Sequence, residues 1–438
     1  MTPASVFLRS LAAAVLFLPA AGVRAQTPGS RDTSFNAGVT GATVYALDYQ
    51  TDVDGTVKIT AGGERAYGQY FVFRPDGTTP ADFLLAPFGN PARIIYTIVQ
   101  ERAPAAPNLI PNLLIGGQFD GGFGRSTNGG RLVQNLIRIT PSGAIDTDFS
   151  TGIGTGANNF VTSLLPLDDG RIVVGGLFTA FNRQPRRRIV RLLNNGTPDT
   201  SFATGLNIDN DVLALAEGID PDTGGPDGST LVGGLFNRVA GQSYAKLVRL
   251  DPNGNLDMSF HPQIDLRVLA ILVQADGKIV IGGDFTTING RRVARLARLN
   301  YDGSLDTTFV GGVSGVPNKD VNPTAVYVLK AMVDGRIYVG GEFAQINGAP
   351  RQYLGLISAD GVVDNTFVPT PANVIYDAVQ TIAIQPDNKL LIGETLGPRI
   401  NDKFQPSLIR LIGVAPVIPT TGTPILGPTP STPAPVNE

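Results

Sequence analysis

The feature that most constrains this chain is a four-residue ending that keeps returning: "DTSF" at 32–35, "PADF" at 80–83, "DTDF" at 146–149, "DTSF" at 199–202, "DMSF" at 257–260, "DTTF" at 306–309 and "DNTF" at 364–367. The phenylalanines lie 48, 66, 53, 58, 49 and 58 residues apart. After each comes an apolar run ending in a glycine pair: Gly62-Gly63, Gly116-Gly117, Gly175-Gly176, Gly233-Gly234, Gly282-Gly283 and Gly340-Gly341, with "LLIGET" around Gly393 in the last. Self-similarity at a period of about 50 residues is the mark of a repeat architecture. Seven units are present.

The stretch 257–309 shows the plan of a unit. It reads "VLAILVQ", the turn "ADG", "KIVIGGDF", the loop "TTINGRR", "LARLN", the turn "YDG" and "SLDTTF". Short apolar runs broken by Asp-Gly are hairpin signals. Each unit therefore predicts four short antiparallel strands, and 53 glycines and 33 prolines suit a fold of strands and tight turns. Seven four-stranded units give an all-β, seven-bladed β-propeller. A string of β-sandwiches would need about 100 residues per domain and does not fit the period.

The pattern V-x-A-I-x-V-Q-x-D-G-K-I-x-x-G-G-D-F … L-A-R-L-N-x-D-G-S-L-D-T-x-F resembles the delta-60 repeat family of bacterial β-propellers. The resemblance covers roughly 31–413. It departs most in the first and last units, which lack Phe after the glycines ("GGERAY", "GETLGP"). It implies a secreted or surface-displayed propeller and no particular activity.

The ends of the chain suggest how the ring closes. The seventh unit reaches "SLIRLI" at 407–412 and no D-x-x-F follows. The missing strand is the one standing alone at 32–35. Arg138, Arg191, Arg249 and Arg298 each precede the Asp of their D-x-x-F by eight residues, which places the two opposite each other across a three-residue turn. Arg410 has no such aspartate ahead of it, so its expected partner is Asp32. The first unit has Val72 and Pro80 at these positions, and the sixth keeps Asp364 but has Leu356 opposite.

Residues 1–25 read as a cleavable leader: Arg9, a short apolar run interrupted by Pro19, and Val23-Arg24-Ala25 before Gln26. Residues 26–413 form the propeller. Residues 414–438, rich in Pro and Thr, form a tail or spacer. The chain is expected to be exported to the periplasm, cell surface or medium, without a membrane span and as a monomer.

Loops on two faces follow from the strand order. The second-to-third loops and the connectors between units are the longer and more varied set, and variable loops on a rigid scaffold are where binding sites gather. They carry Arg125, Arg183, Arg186, Arg187, Gln242, Tyr244, Asn289, Arg291, Asn347, Arg351 and Tyr353 as candidate contacts for a protein or glycan ligand. Nucleic acid is not expected at a net charge of −3.

Catalysis finds no motif. The chain has no cysteine and one histidine, His261. "SYAK" at 243–246 matches S-x-x-K, but S-D-N and K-T-G are missing. No cofactor is expected. Asp220, Asp222 and Asp227 form a weak calcium candidate, lacking the glutamate that an EF-hand loop supplies at its twelfth position. The expected role is a non-catalytic binding or scaffolding module. A carbohydrate-active lyase or hydrolase on the same face, or a purely structural envelope protein, are the alternatives.

Overall fold

The computed structural model describes residues 27–40, 42–51, 57–64, 70–78, 94–102, 110–120, 134–315, 324–369, 375, 377–395, 399–400, 403–404 and 406–417. The leader at 1–25, the "PADF" segment, Arg125 and the tail beyond 417 lie outside them.

Each unit contributes three antiparallel strands in the order first, second, third. They are Thr43–Thr51, Val57–Glu64 and Tyr70–Phe73 in the first unit; Ile94–Gln100, Leu113–Asp120 and Gln134–Ile139 in the second; and Val161–Pro166, Ile172–Gly176 and Ile189–Leu192 in the third. The fourth unit has Val212–Ile219, Pro226–Gly234 and Leu247–Leu250, and the fifth Val268–Val273, Ile279–Gly283 and Leu296–Leu299. The sixth has Ala325–Ala331, Ile337–Glu342 and Leu354–Ile357, and the seventh Val379–Ile384, Leu390–Glu394 and Leu408–Leu411. One Glu64–Ile94 pair joins the first two units at their edge. The fold is all-β and propeller-like.

The expected fourth strand is shorter than a strand. It touches its sheet through a single bridge, as in Leu192–Pro198, Leu250–Leu256, Leu299–Leu305 and Ile357–Val363. The D-x-[ST]-F sequence itself is the reason. In "DTSF", Asp199 Oδ1 accepts the Ser201 backbone N–H at 3.0 Å and its hydroxyl at 2.6 Å. That side-chain turn competes with the ladder and bends the chain away. In "DTDF" the hydroxyl is replaced by Asp148, and the segment becomes a short helix, Thr147–Ile153, capped by Asp146.

The turns follow their residues. From Gln274 to Lys278 the chain closes a three-residue loop, with the Gln274 N–H donating to the Lys278 carbonyl at 2.8 Å and Gly277 at φ 74°. The second-to-third loops contain small hairpins of their own. Thr287–Ile288 pairs with Arg291–Arg292 around Asn289 (φ 49°) and Gly290 (φ 75°), both left-handed as the tightest hairpin turn requires.

The core lies between neighbouring sheets. The first glycine of each pair leaves room for a β-branched side chain of the next unit's first strand: Gly175 for Val212, Gly233 for Val268, Gly282 for Val326, Gly340 for Val379. Gly393 of the seventh unit does the same for Val44 of the first. The first strands pack on one another in chain order, and the seventh packs on the first. Phe35 is buried in a cluster that joins both: Val44, Ile59 and Phe73 on one side, Leu391 and Leu408 on the other.

The N-terminal segment pairs with the seventh unit. The Asp32 N–H donates to the Arg410 carbonyl at 2.8 Å, the Gly29 N–H to Ile412 at 2.7 Å, and Arg31 bridges to Leu411. Asp32 Oδ2 stands 2.9 Å from Arg410 Nε and 2.8 Å from Nη2, with both side chains buried. Arg410 also lies 4.8 Å over the Phe35 ring and donates to the Pro75 carbonyl of the first unit.

Candidate functional site

Side chains on the loop-rich face divide into those the fold has already used and those left over. Asn289 and Asn347 are exposed yet committed: Asn289 Oδ1 accepts the Gln263 N–H at 2.8 Å, and Asn347 donates to the Val310 and Gly361 carbonyls. Arg186 is half-buried and donates to the Pro185 carbonyl at 3.1 Å. Three expected contacts are not on the rim at all. Tyr244 is buried, its ring 4.2 Å from that of His261 and its hydroxyl donating to Met258 Sδ. Arg351 is buried and donates to Asn365 Oδ1 at 2.7 Å. Tyr353 sits where the chain re-enters the sheet, and its left-handed φ of 64° accompanies a buried side chain.

What remains exposed is basic. Arg183 and Arg187 stand on the hairpin loop of the third unit, and Arg291 and Arg292 on that of the fifth, with Gln242 exposed on the fourth. Arg238, which no repeat signal singles out, is exposed on the fourth unit's hairpin between them. None of these five guanidiniums forms an ion pair among the described residues.

A second group was not foreseen. It lies at the loop-face end of the junction between the sixth and seventh units. Glu342 follows the glycine pair of the sixth unit. Two residues earlier, Gly340 faces Val379 of the seventh, so Glu342 also points into that junction. Glu394 takes the place of the second glycine in the seventh unit. Its neighbour Gly393 faces the first unit, so Glu394 faces back toward the sixth. Elsewhere that glycine is needed: a methyl group at Gly63, Gly117, Gly176, Gly234, Gly283 or Gly341 would sit between 1.8 and 2.2 Å from a carbonyl oxygen at the start of the first strand.

Asp377 completes the group, its N–H donating to Glu394 Oε2 at 3.3 Å. Glu342 is only 4% exposed and Glu394 is fully enclosed. Burial, and then the Asp377 charge, push the Glu342 carboxyl up to about 7. Burial also raises Asp377. Tyr327 and Tyr353 are pushed up to about 12, chiefly by burial, and both feel the charges of Glu342 and Asp377. Tyr327 owes its aim to a β-bulge between Val326 and Val328, which leaves it without a partner in the second strand. A signal for this site was in the sequence: the glycine pair is kept six times and becomes Gly-Glu once.

The other candidates are placed as ordinary structure. Asp220 Oδ1 accepts the Asp222 N–H, while Asp227 accepts the Ser229 N–H and the Tyr301 hydroxyl. Among the described residues no three acidic or histidine side chains form a metal-holding group. Asp220, Asp222 and Asp227 serve as turn and hairpin residues in this structure. In "SYAK", Lys246 is buried and donates to the Leu235 carbonyl and Asn237 Oδ1. No helix of the described residues is long and apolar enough to cross a membrane.

No curated protein matches the chain. Among solved structures it is similar to the WD40 beta propeller domain of Doa1, at 11% identity and a TM-score of 0.44, covering 88% of this chain and 95% of that one. A protein of unknown function from Bacteroides caccae matches at 13% identity and a TM-score of 0.35, covering 72% and 92%. The extracellular domain of BT4673 from B. thetaiotaomicron matches at 14% and 0.28, covering 84% of this chain and 51% of that one. The family model "Domain of unknown function (DUF5122) beta-propeller" matches residues 167–202, 225–260, 274–309 and 334–367, each running from a first-to-second turn to its D-x-x-F. The repeat that it describes recurs in register with four of the sheets, consistent with a β-propeller repeat of this kind in that part of the chain.

Proposed function

We propose that the chain is an exported, seven-bladed propeller, closed into a ring by its N-terminal segment, that serves as a non-catalytic binding module. Its ligand is an anionic protein or glycan surface, taken on the loop-rich face. The observation that carries the reading is the arc of uncommitted guanidiniums, Arg183, Arg187, Arg238, Arg291 and Arg292, on three consecutive units. The hairpins present them at little conformational cost, and Arg suits carboxylate and sulfate groups through its planar fork. The ring is supported by the unbroken series of first-glycine contacts and by the Asp32–Arg410 pair. Export rests on the leader at 1–25, and a monomer is the expected state.

Retention of the mature chain on immobilised heparin and polygalacturonate, at low and high salt, tests the reading. Retention at low salt that is lost in Arg238→Ala/Arg291→Ala/Arg292→Ala supports it. No retention, or equal retention by the variant, overturns it.

A second reading has its own observation. Glu342, titrating near 7 beside Asp377, could serve an acid–base reaction on a polysaccharide. Turnover of a polysaccharide panel that disappears in Glu342→Gln would move the protein to the carbohydrate-active class. A purely structural envelope role would show neither retention nor turnover.

A further inference from the structure

We infer that a cavity at the turn-face end of the fourth unit binds an ammonium group on an alkyl stem, in the place that other units fill with a cation of their own. The cavity lies between the first-to-second and third-to-fourth turns, on the face opposite the basic arc.

The register of the repeat points to the missing group. Four residues before the first glycine of the pair, the chain has a lysine or arginine in the first, third, fifth, sixth and seventh units. In the fifth, Lys278 reaches Asp306 of the D-x-x-F at 3.1 Å, beside Arg298. Arg336 reaches Asp364 at 2.8 Å in the sixth, and Lys389 reaches Asp32 at 3.4 Å in the seventh. The second unit has Asn112 there, which donates to Glu101 at 2.8 Å. In the fourth the residue is Ser229, too short to reach Asp257, whose one cation among the described residues is Arg249 at 2.8 Å. Ser229 is 7% exposed, and its hydroxyl has no hydrogen-bond partner among the described residues. Buried polar atoms are normally paired, so this one marks a place for a further group.

A cavity of about 400 Å³ stands where the lysine would run, with Ser229 and Asp257 both in its wall and Tyr301 of the fifth unit across from them. Its charged groups are three carboxylates, Asp227, Asp251 and Asp257, against the one guanidinium of Arg249. Asp227 is held by neutral donors, the Ser229 N–H at 2.7 Å and the Tyr301 hydroxyl at 2.9 Å. Asp251 is held by the N–H groups of Asn253 and Asn255, both at 2.8 Å. The aspartates do not form a metal-holding group. An ammonium carries three donors and can reach carboxylates and a hydroxyl that do not converge on one point. Leu256 and the exposed Met258 add apolar surface for the stem that carries it.

Titration of cadaverine, Nα-acetyl-lysine methylamide and uncharged 1-pentanol into the mature chain by calorimetry tests the proposal. Cadaverine should bind, and 1-pentanol should bind at least about tenfold more weakly. Equal binding of the acetyl-lysine amide assigns the site to a lysine side chain, and binding of cadaverine alone assigns it to a free amine. Ser229→Lys repeats the arrangement of the fifth unit and supplies a tethered ammonium. It should weaken cadaverine binding by about tenfold or more with the melting temperature kept or raised, so lost binding cannot be put down to unfolding. Asp227→Asn keeps acceptors for Ser229 and Tyr301 but removes the charge, and should weaken binding to a similar degree. No binding of either amine, equal binding of 1-pentanol, or unchanged affinity in either variant overturns the proposal. Retention on polyanions should be unaffected by Asp227→Asn, so the two readings fail separately.

Discussion

Asp306 shows why the repeat is written as it is. Oδ1 holds the Thr308 N–H and hydroxyl, while Oδ2 holds Arg298 at 2.8 Å and Lys278 at 3.1 Å. The same arginine lies 5.1 Å over the Phe309 ring and donates to the Ala359 carbonyl of the next unit. One aspartate therefore fixes the turn, orients the arginine and, through it, docks the neighbouring sheet. Both charges are buried and hydrogen-bonded, so removing one strands the other. Asp306→Ala should cost about 3–5 kcal/mol in urea denaturation, whereas the exposed Arg183→Ala should change stability by about 0.5 kcal/mol or less. In the sixth unit, where Leu356 replaces the arginine, Asp364 is held instead by Arg336 at 2.8 Å. The eight-residue spacing could not show this, because Arg336 comes from the first-to-second turn, just before the neighbouring strand.

The two kinds of carboxylate respond to pH in opposite directions. At Asp32 burial works upward, but bonds from Ser34 and the charges of Arg410 and Lys389 prevail and hold it at about 2 rather than 3.8. Its folded value lies below the unfolded one, so its contribution is complete above about pH 4 and is lost as pH falls toward 2. Glu342 is raised from 4.5 to about 7. Its ionisation therefore favours the unfolded chain, and stability falls as pH rises between those values. Glu342→Gln should raise the melting temperature at pH 8 and leave it nearly unchanged at pH 4. An equal gain at both would show that the burial of charge is not the cause.

Strands and turns were the most legible elements, because their signals are local. Asp-Gly turns, apolar runs and glycine pairs each act over a few residues. The small hairpins in the second-to-third loops look like plain loops in sequence, since two-residue strands leave no alternation to see. The helix at Thr147–Ile153 was hidden in a single replacement, Asp148 for a hydroxyl residue. The carboxylate group was least legible: Glu342 and Glu394 lie 52 residues apart, and only packing of neighbouring sheets brings them together. The glycine pairs give a sharp contrast for testing. Gly283→Ala would drive a methyl group to 2.0 Å from the Arg267 carbonyl and should lower stability by about 3 kcal/mol. At Gly290 nothing lies within 4 Å, so alanine meets only the strain of its φ of 75° and should cost about 1 kcal/mol. Equal losses by chemical denaturation would contradict the close-packing role.

In the whole molecule each sheet is stabilised by its neighbours, as in other repeat folds. Arg138, Arg191, Arg249 and Arg298 each donate to a carbonyl in a turn of the following unit: Asn194, Pro252, Tyr301 and Ala359. Arg410 continues the series by reaching Pro75, so the last unit treats the first as its successor. An unpaired edge would otherwise remain on the seventh sheet. The opening "DTSF" is, in the proposed ring, the outer segment of the last unit, carried at the other end of the chain. Thermal melting of two truncations of the mature chain tests this closure most directly, one lacking residues 27–35 and one lacking 418–438. Loss of the Asp32 pair and of buried Phe35 should lower the melting temperature by about 10 °C or more, while loss of the tail should change it by about 1 °C. Equal melting temperatures for the two truncations would contradict a ring closed by the N-terminal segment.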